Sequence, residues 1–365
     1  MTATGLVEAF DALFSGVSAQ TAAPDTEGGW SAAAWKRLAD AGVPWVSVPE
    51  ASGGSGGSLT DAYDLLHLAG RHATPFPLAE TGPLAGWLLS SVGAQVPRAP
   101  LSVAPGLDVD DVRLTRVDGF WRLTGSAHRV PWSRAAALIL LVLPFDGTDH
   151  LVMVPTGLAE VHAGRNLAGE PRDRLVFDTT TLARDAVVPL PDGADRAELH
   201  RRGAVCRSVM MVGALERVAD LTVRYAGVRQ QFGRPIARFQ AVAQNLALIA
   251  EHAERARLAV SVSASMAARH GHDLPTAARA KVLACEAARL VSALAHQVHG
   301  AIGMTEEYPL GLYTSRLWSW TAEYGSDAIW ARRLGEQVVR GRADALWPLV
   351  TTCLHTQVED MELES

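Results

Sequence analysis

Cysteine is scarce in this chain. Cys206, Cys285 and Cys353 are the only three in 365 residues, far apart and without a CxxC spacing. That argues against a disulfide framework and a zinc cage, and it fits a reducing cytoplasm. HExxH and EF-hand spacings are absent as well, so no metal site is expected. Neither charge dominates: the formal net charge of −6 gives no electrostatic reason to expect nucleic acid or an anionic membrane as a partner. Long apolar runs are missing too. The longest, "AAALILLVLPF" at 135–145, is too short to span a bilayer and carries Pro144 near its end. The opening "MTATGLVEAFDALFSG" has early acids and no basic flank, unlike a secretory signal. A cytoplasmic location is therefore expected.

What is present is ordinary globular material, 48% hydrophobic and 20% charged, in a chain long enough for two or three closely packed domains. Residues 1–100 read as helical. Trp35, Leu38 and Ala39 share one helix face, and a second helix runs from Leu59, with Asp61 near its start and Gly70 near its end. The pattern changes at about Pro100. Residues 101–192 hold alternating segments and an Asp118-Gly119 hairpin signal, which indicate a small β domain. From 193 to 365 helical spacing returns. Val205, Val209, Val212 and Leu215 fit one long helix, Gly233 and Pro235 break the chain, and Gly271 stops a second helix. A third helix starts near Pro275, and "SDAIWARRLGEQVVRGRA" forms the last. The expected fold is α+β and multidomain. It consists of an N-terminal helical domain (1–100), a middle β-barrel or sandwich (101–192), and a C-terminal antiparallel four-helix bundle (193–365).

Two motifs invite a chemical reading. "SGGSGGS" at 52–58 lacks both the Lys-Ser/Thr ending and the strand–helix context of a phosphate loop, so a flexible surface loop is expected. "RYAGVRQQFGRPIARFQ" at 224–240 leaves two readings open. Arg229 either complements a helix C-terminus, or offers its fork to a pyrophosphate beside Gln231 and a closely approaching backbone at Gly233.

This stretch resembles the Arg-x-Gln-Phe-Gly-x-Pro-Ile segment of the acyl-CoA dehydrogenase flavoproteins. "QVHGAIGMTEEYP" at 297–309 is similar to that family's Gln-x-x-Gly-Gly-x-Gly segment, and "LADAGVPWVSVPEASGGSGGS" resembles its N-terminal glycine-rich loop. The order helix, β, helix bundle is also the family's. The resemblance implies dehydrogenation across Cα–Cβ of an acyl-CoA: a carboxylate takes the α-proton and FAD takes the hydride. It also implies that Arg229, Gln231, Phe232, Gln297 and Gly300 reach across a subunit interface to the FAD seated in a neighbour. Ala301 stands where the family has a second glycine.

The residues that should hold the chain's own flavin match poorly. The family's Thr-Glu-Pro and Gly-Ser-Asp stretch corresponds to "LSVAPGLDVDDVRL" at 101–114. The flavin-contacting triplet aligns with Arg129, Val130 and Pro131, and proline has neither hydroxyl nor N–H; Trp132 or Ser133 would have to shift into place. The catalytic carboxylate is displaced as well. The family's Tyr-Glu-Gly-Thr turn falls on Glu323-Tyr324-Gly325-Ser326, so Tyr324 takes the place of the base, and a minority position for the base falls on Gly203. A phenol titrates near 10, and Glu323 projects elsewhere on the turn. The simpler reading has Ser326 or Gly325 capping the last helix, Glu323 favouring its N-terminus and Tyr324 packing.

What the chain lends is kept and what it needs for itself is eroded. The resemblance is therefore greatest to the β-type subunit of actinobacterial heteromeric acyl-CoA dehydrogenases, α2β2 heterotetramers of steroid degradation, and the Ala-Leu-Trp-Pro at 345–348 is similar to theirs. That reading implies a homologous catalytic partner and an acyl-CoA substrate. One alternative is a self-sufficient homo-oligomeric flavoenzyme using Glu323 or Tyr324. Another is a structural subunit without FAD.

Overall fold

The computed structural model describes residues 3–21 and 30–340. The Ala-Leu-Trp-Pro segment and Cys353 lie outside the described residues. Four helices come first: α1 (Ala3–Thr21), α2 (Ala32–Asp40), α3 (Leu59–Arg71) and α4 (Trp87–Ser91), the last entered through a π-helical segment at Glu80–Gly86. Asp61 is part of a capping box, because Ser58 and Asp61 each accept a backbone N–H from the other.

The "SGGSGGS" stretch is not a free loop. Ser55 and Gly56 donate their N–H groups to the carbonyls of Trp45 and Val48. A Cβ on Gly54 would come within 2.0 Å of the Val48 carbonyl oxygen. These glycines serve close packing against 45–50, a tertiary demand that flexibility at the sequence level does not reveal.

The middle segment holds eight strands: β1 (Leu101–Val103), β2 (Arg113–Val117), β3 (Phe120–Pro131), β4 (Leu138–Phe145), β5 (Thr148–Pro155), β6 (Glu160–His162), β7 (Arg172–Leu182) and β8 (Val187–Pro189). They form two four-stranded sheets, β1-β4-β5-β8 and β2-β3-β7-β6. Asp118 and Gly119 both have positive φ, as a two-residue hairpin turn requires. In β4, Ile139 and Leu141 enter the core between the sheets, while Leu140 and Val142 join the core shared with the helices. A strand covered on both faces accounts for the unbroken apolar run at 138–143.

Five helices follow: α5 (Arg196–Val228), α6 (Gln240–His270), α7 (Leu274–His299), α8 (Leu310–Ala322) and α9 (Asp327–Arg340). The 33-residue α5 is about 50 Å long. Gly271 ends α6, and Asp273 caps α7 with Pro275 in its first turn. The small hairpin β9 (Gln230–Gln231) and β10 (Arg234–Pro235) joins α5 to α6. The α8 helix was not anticipated. Its buried residues include Thr314, Arg316 and Ser319, so a polar composition hides its inward face. No helix among the described residues is long and apolar enough to cross a membrane.

Candidate functional site

The residues expected to reach a neighbour lie at one end of the bundle. Arg229 ends α5, its N–H bonded to the Tyr225 carbonyl, and its own carbonyl accepts from Ile236. The hairpin pairs Gln231 with Arg234, leaving Phe232 and Gly233 as a two-residue turn with both φ values positive. Phe232 is thrown outward and is 91% exposed. Gln297 is exposed in the last turn of α7, and Gly300 ends that helix at φ 63. Tyr225 and His299 tie the two helix ends together, with rings stacked at 4.5 Å and the tyrosine hydroxyl donating to the His299 carbonyl at 3.3 Å. Arg229 is exposed and forms no ion pair among the described residues. A guanidinium, two exposed amides and an open backbone suit a pyrophosphate arriving from outside.

The turn after α8 is built differently. Glu323 ends the helix, Tyr324 and Gly325 take positive φ, and Ser326 caps α9, its Oγ accepting from Ile329 at 3.4 Å. The Trp330 indole donates to the Tyr324 carbonyl at 2.9 Å. From α7, the fully buried Lys281 donates to the carbonyls of Trp320 and Glu323 at 2.5 and 2.8 Å. These bonds satisfy carbonyls that a helix end leaves open. The capping and packing roles expected for Ser326 and Tyr324 are present. Glu323 departs from expectation, because its side chain turns away from the α9 terminus.

Its carboxylate instead bridges two arginines, Arg172 on β7 at 2.7 Å and Arg207 on α5 at 2.6 Å. Arg207 also holds Glu80, and Glu170 binds Arg172 at 3.0 Å and Arg316 at 3.2 Å. Three arginines and three glutamates thus form one neutral cluster joining the π-helical segment, the β domain, α5 and α8. Burial would raise the Glu323 carboxyl, but Arg172 and Arg207 outweigh it and hold it below its usual range. For Glu170, too, burial is opposed by Arg172 and Arg316, and its pKa falls to about 2. A carboxylate held so firmly in its charged form, with both oxygens occupied, is a weak proton acceptor.

Tyr324 is no better suited as a base. It is buried, its hydroxyl has no partner among the described residues, and burial, reinforced by Glu80, raises its phenol well above the ordinary value. Its ring lies over Gly203, where a Cβ would approach the ring carbons to 2.3 Å. The two sequence positions for a base therefore converge on one space, which the phenol ring fills.

Beside this turn lies a cavity of about 440 Å3, walled by Leu107, Arg129, Pro131, Asn166, Trp318 and Tyr324 among others. It contains the aligned flavin-contacting position, where Pro131 offers neither N–H nor hydroxyl to a flavin. Trp132 is buried against Trp30, and the Ser133 hydroxyl donates to Asp173 at 2.6 Å, so neither replaces the donor that Pro131 lacks. In the 101–114 stretch, Asp110 and Asp111 accept backbone N–H groups from His128 and Ser126, tying this segment to β3. Sequence reading did not single out Glu80, Glu170, Arg172, Arg207, Arg316 or Lys281. Lys281 did carry a signal, since it occupies the apolar stripe Ala277, Ala284, Ala288 of α7.

The family model described as "Acyl-CoA dehydrogenase, C-terminal domain" matches residues 199–339. The acyl-CoA dehydrogenase FadE28 of Mycobacterium tuberculosis is 30% identical over 307 residues, 78% of this chain and 86% of that protein. The chain belongs to the acyl-CoA dehydrogenase family. Another family member, IpdE2 of the same organism, is 29% identical over 84% of this chain and 86% of its own length. Among solved structures, the ChsE4-ChsE5 complex of M. tuberculosis superposes with a TM-score of 0.83 at 24% identity, covering 91% of this chain and 97% of that chain. A variant of the Tcur3481-Tcur3483 steroid acyl-CoA dehydrogenase gives 0.80 at 24% identity, covering 93% and 99%. At such identity these likenesses speak for the acyl-CoA dehydrogenase fold: a helical N-terminal part, small sheets and a C-terminal helical part.

Proposed function

We propose that this chain is the non-catalytic subunit of a heteromeric, FAD-dependent acyl-CoA dehydrogenase. It lends residues to the flavin of a homologous catalytic partner, in an α2β2 assembly. The observation that carries this reading is the Tyr324 ring over Gly203, which leaves no carboxylate and no room for one at either base position. Arg229, Gln231, Phe232, Gln297 and Gly300 supply the complementary half, because each is exposed on its own chain. When bound, FAD supplies the hydride acceptor for dehydrogenation of the acyl-CoA. On this chain Arg229 would neutralise the pyrophosphate, Gln231 and Gln297 would donate from their amides, and Phe232 would cover the cofactor from solvent. The partner brings the glutamate that takes the α-proton and the flavin-facing β domain. That two superposable solved proteins are named as pairs supports a paired assembly here, and the steroid named for one of them supports a steroid side-chain thioester as the acyl group.

The test is to purify the chain alone and together with a co-expressed homologous catalytic subunit. Flavin absorbance and dehydrogenase turnover are expected only for the pair. Stoichiometric FAD and turnover in the chain alone would overturn the reading.

A further inference from the structure

A groove of about 910 Å3 lies between α8, the turn 303–309 and the loop 165–169 of the β domain. Leu167, Met304, Leu312 and Trp318 all line it, and they are 77%, 76%, 48% and 44% exposed. Large apolar side chains scattered singly need no explanation, but four around one groove mark a surface that another molecule covers. The acids free to act at a distance are Glu306 and Glu307 on the same wall, both exposed and without an ion pair among the described residues. The basic groups of the groove are already committed. Arg316 is buried on Glu170, His72 faces Asp11, His296 faces Thr314, and Arg165 is engaged as well.

The groove and the FAD-lending residues are joined by direct contacts. Tyr308, on the groove wall, meets Nε2 of His299 at 3.1 Å, and His299 stacks on Tyr225, one turn before Arg229. Gly303 belongs to the same short helical turn as Gly300. A subunit whose cofactor reaches Arg229, Gln297 and Gly300 therefore lies beside the groove's rim.

We propose that this groove receives an apolar segment of the catalytic partner, flanked by basic side chains that face Glu306 and Glu307. The inference rests on the partner-subunit reading above and specifies where and by what chemistry the two chains hold together.

The full-length chain and its co-expressed partner provide the test, with Leu167→Asp and Met304→Asp made singly and together. Both positions are exposed, so thermal melts of the variants alone should match the wild type. Each is expected to weaken the pair roughly tenfold to a hundredfold, as loss of a central apolar contact does, measured by interferometry or light scattering. Val109→Asp, another exposed apolar site (67%) that lies outside the groove, is the control and should leave affinity unchanged. Glu306→Gln with Glu307→Gln should slow association several-fold and flatten its salt dependence. A wild-type pair that forms while the Leu167→Asp, Met304→Asp double variant binds within about twofold overturns the groove proposal and leaves the subunit reading intact. If the same variants instead dissolve self-association of the chain alone, the occupant is a second copy and the proposal is likewise overturned. A chain that binds FAD and turns over without any partner removes the underlying reading.

Discussion

The ring of Tyr324 occupies the space that any side chain at Gly203 would need, since a Cβ there falls 2.3 Å from Cδ1 of the tyrosine. One residue sits on a turn after α8 and the other inside α5, 121 positions apart, yet they define a single site. Both positions at which the family resemblance would seat a base therefore border the same space, and the tyrosine ring fills it.

We predict that Gly203→Ala costs about 1–3 kcal/mol, the usual penalty for overpacking a core, despite alanine's better helix propensity. Combining it with Tyr324→Ala should recover part of the loss, because the two sites share the clash. Urea melts of the four species give the coupling energy, and strict additivity would count against the shared space.

Tyr324→Phe is expected to leave stability unchanged or to raise it by up to about 1 kcal/mol. The hydroxyl it removes is buried and has no hydrogen-bond partner among the described residues, so its desolvation cost is relieved without the loss of a bond. Activity of the assembled pair should not change. A large loss of turnover would instead make Tyr324 part of the chemistry.

Glu323→Gln should destabilise the chain by about 3–5 kcal/mol, because it leaves Arg172 and Arg207 short of a buried counter-charge. Turnover per bound flavin in the assembled pair is expected to stay near the wild-type value. Near-complete loss of turnover at unchanged flavin content would support the self-sufficient alternative, with Glu323 as base.

Acid should weaken the fold through the same cluster. The carboxyls of Glu170 and Glu323 are held below their ordinary value of 4.5, Glu170 at about 2. A group with a depressed folded-state pKa contributes its stability above the unfolded pKa and loses it as pH falls through the folded value. Stability from Glu170 should thus be complete above about pH 5 and decline between about 4.5 and 2. Melting temperatures along that range, compared with Glu170→Gln, check the assignment.

Arg229→Ala should leave the melt of the isolated chain unchanged, as the residue is exposed and forms no ion pair among the described residues. It should lower flavin affinity of the assembled pair about tenfold or more, the scale of a charge-assisted bond to phosphate. Unaltered flavin content would favour a structural subunit that binds no FAD.

Much of this protein is readable from the chain alone. Helix periodicity, the Asp118-Gly119 turn, Gly271 and the Pro275 start are local signals, and local backbone preference sets them. The retained Arg-x-Gln-Phe-Gly segment and the displaced carboxylate at 323–324 are legible in the same way, by position along the chain. What a side chain meets in space is a different matter. The ends of Glu323 were decided by Arg172 and Arg207, 151 and 116 residues away in sequence, and Lys281 was placed under the turn by the packing of α7 on α8. The glycine-rich loop looked free and is pinned, because Val48 leaves no room for a Cβ at Gly54. Burial and long-range pairing depend on how the elements pack, and periodicity carries no record of it. Sequence determined which residues stand at positions 203, 323 and 324 and along the Arg-x-Gln-Phe-Gly segment; only the tertiary structure decided that the space beside Gly203 is filled by Tyr324 and that Arg229, Gln231 and Phe232 face outward, because burial and exposure are set by packing.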